Sequence, residues 1–210
     1  GYPGWRVALR LQQLSDLPLP RFLKKIGLAA LKSLGKDLSF PYEWLRRAAA
    51  RQSIFWGGAE AFTQTHKQRL LSPRLRAQLA GRTSWDAIAP IRQRFDAKAK
   101  DASNLNWMTY LDLNLRLPEL LLMRVDKMSM GVSLEARVPF LDHKLVELAM
   151  GIPQSMKTKG GTLKHILKKA VRGVIPDEII DRPKQGFGVP IHEWFLDKLG
   201  TEITAERSEE

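Results

Sequence analysis

The chain has 210 residues, 44% hydrophobic and 27% charged, a balance that suits one well-filled core with at most a loosely attached lobe. It holds no cysteine, which excludes a disulfide framework, a thiolate zinc site and a cysteine nucleophile, and no apolar run approaches the roughly 18 residues of a membrane span. The net charge of +12 is unevenly placed: residues 1–100 carry 19 Lys and Arg against 6 Asp and Glu, whereas residues 101–210 carry 15 against 16. The first half therefore presents either a solvated basic surface or a face for an anionic partner, such as nucleic acid, a phosphate-rich surface or an acidic region of the same protein. Absence of cysteine fits a cytoplasmic protein.

In chain order, residues 5–14 read as a short helix broken by the Ser and Pro residues of 15–20. Over 21–34, Phe22, Leu23, Ile26, Ala30, Leu31 and Leu34 recur at helical spacing with Lys24, Lys25 and Lys32 on the other face. Such a basic amphipathic helix either packs on its neighbours or lies on an anionic membrane surface. Residues 42–55 predict a helix ended by Gly57-Gly58, and 62–71 another that stops at Ser72-Pro73, where a serine cap restarts a helix through Leu79. Ser84 is expected to cap a helix over 85–100. His66 stands alone, without a second ligand at metal spacing, and no metal site is expected. The polar connector 101–104 divides a basic helical lobe, 1–104, from a second region, 105–210.

Residues 105–117 read as a helix, and Pro118-Glu119 opens a central one. Leu120, Leu121, Met123, Val125 and Met128 are so dense that burial on most sides is expected, leaving Asp126 and Lys127 in need of partners or a wet cleft. Pro139 biases Val138 toward extended backbone, so 133–138 should run as a strap with Glu135 and Arg137 on one side and Leu134 and Val138 on the other. Asp142 should cap a helix buried through Leu145, Val146, Leu148 and Ala149 and ended by Gly151 and Pro153. Thr162 is expected to cap a helix from Leu163 to Val171, its basic face solvated, and a short helix follows Pro176. A loop with two glycines and two prolines, RPKQGFGVP at 182–190, then precedes a final helix over 190–199. No strand pattern appears, so the chain is expected to be all-α.

Two stretches carry chemistry. DKMSMGVSLEARVPFLD, residues 126–142, sets five charged groups and a proline among apolar residues, and reads either as a structural salt-bridge strap or as the wall of a site. In RPKQGFGVP, glycine permits close backbone approach and proline stiffens the flanks, so Lys184 reads either as a turn lysine or as a cation held for a phosphoryl group.

Together, in this order, the two motifs resemble the C-terminal part of the synthetase domain of glutamine-dependent asparagine synthetases. Gly1-Tyr2-Pro3-Gly4-Trp5 is similar to the segment just after that family's acidic pyrophosphate loop. The resemblance implies the helical C-terminal part of an α/β, PP-loop synthetase domain of the adenine-nucleotide α-hydrolase type. It implies a ligase that activates a carboxylate, expected to be aspartate, with ATP and magnesium, and then transfers ammonia released from glutamine to form the amide. Lys184 would be the active-site lysine and Glu119 an acid assisting the attacking nitrogen. Arg182, Arg137, Glu135, Asp126 and Asp142 would bind substrate or nucleotide, or hold the cleft. The family's Ser-Gly-Gly-x-Asp-Ser loop, its acidic magnesium-bearing loop and its glutaminase cysteine are absent from these residues, so the chain by itself is expected to be inactive and to need PP-loop and glutaminase regions as partners. A second copy, as a homodimer, is also expected. The long basic lobe leaves two relatives in view, an amidotransferase of polysaccharide pathways and a β-lactam-synthetase-like enzyme, beside a basic helical anion-binding module.

Overall fold

A computed structural model of the chain describes residues 3–58, 60–183, 191–196, 200 and 202. The described residues are mostly helical and contain no strand; one isolated bridge pairs Arg172 with Ile175. None of their helices is long and apolar enough to cross a membrane. Contacts divide the chain into two units, 1–166 and 167–210.

The first unit begins with α1 (Pro3–Asp16), α2 (Arg21–Ser33) and α3 (Phe40–Ala49), with α2 lying along α3. Next come α4 (Gln64–Leu70), α5 (Pro73–Gln78), α6 (Trp85–Lys98) and α7 (Asn104–Asn114). Helix α7 is the centre: it touches α1 and α6 and buries Leu105, Asn106, Trp107, Met108, Leu111 and Asp112 on several of its faces. Around it Phe55, Trp56, Ile88, Ile91 and Phe95 complete the core. Phe95 sits 5.6 Å from Trp107 and 5.4 Å from Tyr110, both in tilted ring contacts. A π-helical turn (Leu117–Leu122) leads into α8 (Met123–Met130), the strap and α9 (His143–Gly151), followed by the single turn α10 (Gln154–Lys157).

The local chemistry explains most boundaries. Ser39, Ser72 and Ser103 accept the backbone N–H of Tyr42, Leu75 and Asn106. Thr63 caps α4 in a box closed by His66, whose Nδ1 lies 2.9 Å from the Thr63 hydroxyl. The α6 cap differs from expectation: Ser84 makes no capping bond, while Trp85 N–H donates to Thr83 Oγ1 and Thr83 N–H to Asp86 Oδ2. The expected helix over 42–55 ends early, at Ala49, because Arg51 turns into the left-handed region at φ 55°. Residues 53–56 are nevertheless buried, so their apolar run reflects core membership and not helix. The central helix differs most. Leu121, Met123, Val125 and Met128 are exposed, and so are Asp126 and Lys127, which therefore bear no burial cost. Apolar density marks a face that wants cover, and the described residues supply none. Leu145 and Leu148 of α9 are likewise exposed.

The second unit holds α12 (Asp177–Asp181) and α13 (Ile191–Leu196), with α11 (His165–Ala170) spanning the division. The helix expected from Leu163 starts later because Lys164 adopts φ 59°. Arg172 pairs with Asp177 at 2.8 Å and Asp181 at 2.5 Å. The basic face expected to be solvated is thus partly neutralised, although such exposed pairs contribute little stability.

Candidate functional site

The strap is built from backbone constraints. Helix α7 ends at Leu115, and Pro118 then sits at the start of a turn in which Met123 N–H donates to the Pro118 carbonyl, five residues back. A π-turn of this kind widens the helix locally and recurs at functional sites; Glu119 is exposed on it. After α8, Ser133 at φ 60° breaks the helical path and residues 134–138 lie outside any helix, with Val138 at φ −125° and ψ 75° rather than in the extended conformation expected before Pro139. Glu135 and Arg137 pair at 2.9 Å, both exposed. Asp142 is committed as a cap, its Oδ1 accepting Lys144 and Leu145 N–H at 3.0 and 3.2 Å. Among the described residues, Glu119 and Asp126 form no side-chain hydrogen bond or ion pair, so in this unit the structure joins only Glu135 with Arg137. Arg182, in the second unit, is exposed just after α12. Lys184 lies outside the described residues.

A second, buried polar system was not singled out in the sequence. Residues 53–58 form an irregular segment through the core, and an irregular buried backbone leaves N–H and C=O groups that need partners. Side chains supply them. Gln12 Oε1 accepts Ile54 N–H at 2.8 Å, Arg47 donates to the Ile54 carbonyl at 2.7 Å, Glu60 accepts Trp56 N–H at 3.2 Å, and Asp112 accepts Gly58 N–H at 2.9 Å. Arg47 is the hub. Its guanidinium lies 3.9 Å from the Trp56 ring centroid, forks onto both Glu60 oxygens at 2.8 Å, and donates Nε to Glu43 at 3.0 Å. Arg46 grips Glu43 through two more bonds, at 3.0 and 2.7 Å. Burial pushes the Glu43 carboxyl up, but the hydrogen bond and charge of Arg46, together with Arg47, outweigh it and hold the pKa below the ordinary value. Asp112 goes the other way: burial raises it, against the Gly58 N–H and an Arg116 whose Nη1 is 3.9 Å away. A Cβ on Gly58 would run into Arg116 Nη1 and stand 2.9 Å from Asp112 Oδ2, so a larger residue there would have to displace the tips of these two side chains. Glu43 followed by Arg46-Arg47 at i+3 and i+4 was the readable signal for this network.

Beside this system lies a cavity of about 320 Å³ walled by Trp5, Phe40, Trp44 and Phe55 and edged by Glu60 and Arg116. Four further residues reinforce the start of α7. Asn106 takes the Lys157 ammonium and donates to Asp101, whose carboxylate also accepts Gln154 N–H at 3.1 Å. Burial lowers the Lys157 pKa against the pull of Asp101. None of the described residues forms a group of three or more His, Cys, Asp and Glu able to hold a metal ion.

The asparagine synthase family model matches residues 1–209. Asparagine synthetase (glutamine-hydrolyzing) 1 of Bacillus subtilis (strain 168) is 31% identical over 202 residues, which are 95% of this chain and 30% of that protein. Asparagine synthetase (glutamine-hydrolyzing) 3 of the same strain is 43% identical over 89 residues, 42% of this chain and 14% of the relative. The human asparagine synthetase (glutamine-hydrolyzing) is 36% identical over 80 residues, 35% of this chain and 14% of the relative. No solved structure matches. The chain thus spans 30% or less of the length of these curated relatives. With one family model running across almost every residue, and the strap and the glycine-proline loop both inside it, the chain belongs to the asparagine synthase family.

Proposed function

We propose that the chain is the helical part of an ATP-dependent ligase that converts a carboxylate, aspartate in the simplest case, into its amide with ammonia released from glutamine. The observation that carries this reading is the family match over 1–209, which includes SLEARVPFLD and RPKQGFGVP in order. In the proposed reaction a carboxylate oxygen attacks the α-phosphorus of ATP and pyrophosphate leaves. Ammonia then attacks the acyl carbon, loses a proton and displaces AMP. Negative charge grows first on phosphoryl oxygens and then on the carbonyl oxygen, so a fixed cation lowers both barriers. Lys184 is assigned that role, and Glu119, unpaired and exposed on its π-turn, the role of accepting the ammonium proton. Arg137, oriented by Glu135, is assigned to a substrate carboxylate or phosphate. The nucleotide loop, the magnesium ligands and the glutaminase are assigned to regions other than the described residues.

Lys184→Ala, made in an active ligase containing this chain, should cut substrate-dependent pyrophosphate release by about a hundredfold or more while glutamine hydrolysis continues. Retention of pyrophosphate release by this variant would remove Lys184 from the chemistry.

A further inference from the structure

Helix α2 has two apolar faces, and the fold uses one. Lys24, Gly27, Leu28 and Leu31 turn inward: the Cβ that Gly27 lacks would stand 2.9 Å from Leu45, and the Lys24 ammonium reaches the Ser15 and Ala48 carbonyls at 3.2 and 3.4 Å. On the opposite side Phe22 and Ile26 are each 60% exposed, with Ala29 and Ala30 beside them and Leu17, Leu19, Leu23 and Leu34 exposed around them. Along one flank of this stripe stand Arg21, Lys25 and Lys32, all exposed. Residues 17–36 contain five Lys and Arg and no Asp or Glu. The two acids that bracket the segment are engaged elsewhere, Asp16 by Gln12 at 2.7 Å and Asp37 by Arg69 at 2.7 Å. Among the described residues no ion pair reaches Arg21, Lys25, Lys32 or Lys36.

We propose that this face docks on an anionic lipid bilayer, with Phe22 and Ile26 entering the headgroup boundary and Arg21, Lys25 and Lys32 meeting lipid phosphates. A helix supported from behind by α3 and apolar in front, with cations alongside, matches a surface that is apolar below and anionic at its rim. Nucleic acid would answer the cations but leave Phe22 and Ile26 in water. A second copy packed through this face would set like-charged segments against each other, since a two-fold interface opposes a patch to itself. The stretch from α8 through α9 also exposes large apolar residues but differs in charge: residues 126–150 mix four acids with three Lys and Arg, so it lacks this complementarity.

Co-sedimentation of the full chain with vesicles tests the proposal. Phosphatidylglycerol and phosphatidylcholine in equal parts should retain the chain about tenfold more strongly than phosphatidylcholine alone, and added salt should weaken the binding. Phe22→Ser with Ile26→Ser, and separately Lys25→Glu with Lys32→Glu, should each reduce it about tenfold or more. All four side chains are exposed, so circular dichroism should show the fold retained. Phe140→Ser on the strap should leave binding unchanged. Equal retention on the two vesicle types, unchanged binding of the α2 variants, or loss through Phe140→Ser would each overturn the proposal. So would a dimer in sedimentation velocity that the Phe22 and Ile26 variant dissolves.

Discussion

Helices α7 and α8 are near neighbours in sequence, both rich in large apolar residues, and the structure treats them oppositely. Trp107 and Leu111 of α7 are 1% and 0% exposed, whereas Met128 of α8 is 77% and Val132 just beyond it 76% exposed. The polar groups follow suit: Asn106 and Asp112 are buried and bonded, while Asp126 and Lys127 stand in solvent. Composition does not separate the two segments; the presence of a covering element does. α7 is enclosed by α1, α6 and the 53–58 segment, and nothing among the described residues performs that service for α8.

The sharpest way to break this contrast is to truncate one anchor in each region. Trp107→Ala should lose about 3–5 kcal/mol in urea unfolding, because it removes an aromatic from the packed centre and the Nε1–H bond to Ser53 at 2.8 Å. Met128→Ala should stay within about 0.5 kcal/mol of the parent chain. The polar comparison is next in size. Arg47→Met leaves Glu60 and the Ile54 carbonyl without their donor and should cost about 3 kcal/mol. Arg137→Met, which breaks only an exposed pair, should cost less than about 1 kcal/mol by the same unfolding assay.

The smallest expected effect is in pH dependence. Arg46 and Arg47 depress Glu43 in the folded state despite the upward push of burial, so its contribution is complete above its ordinary pKa of 4.5 and fades as pH falls through the lower folded value. Asp112, raised chiefly by burial, has the opposite sign: it favours the fold at pH below its ordinary 3.8 and loses that contribution as pH rises through the folded value. Unfolding midpoints across the acid range should therefore flatten in Glu43→Gln and steepen in Asp112→Asn, which removes the opposing group.

Much of the helical pattern was legible because it rests on local chemistry. Ser72 and Asp142 cap as their positions imply, and the chain leaves the helix ahead of the proline at 139. Where reading failed, a longer-range partner decided. The segment after Ala49 looked helical because Ile54, Phe55 and Trp56 are apolar, yet its path is set by Gln12, Arg47 and Asp112 from three separate helices. Thr83 displaced Ser84 as the cap because Asp86 could answer its N–H and the Ser84 hydroxyl receives Lys67 instead. At the candidate site, the pairing of Glu135 with Arg137 follows from opposite charges set two residues apart outside any helix. The π-turn under Glu119 does not, since Pro118 opens an α-helix and a wider turn equally well.

The threaded segment behind Gly57-Gly58 has a kinetic corollary. Arg47 and Glu60 tie it locally, but its other bonds reach 42 residues back to Gln12 and 54 forward to Trp107 and Asp112, so its neighbours alone cannot complete its partners. Those distant bonds close long loops, so completing the segment should be slower than forming the capped helices around it, which hydrogen-exchange labelling during refolding would time.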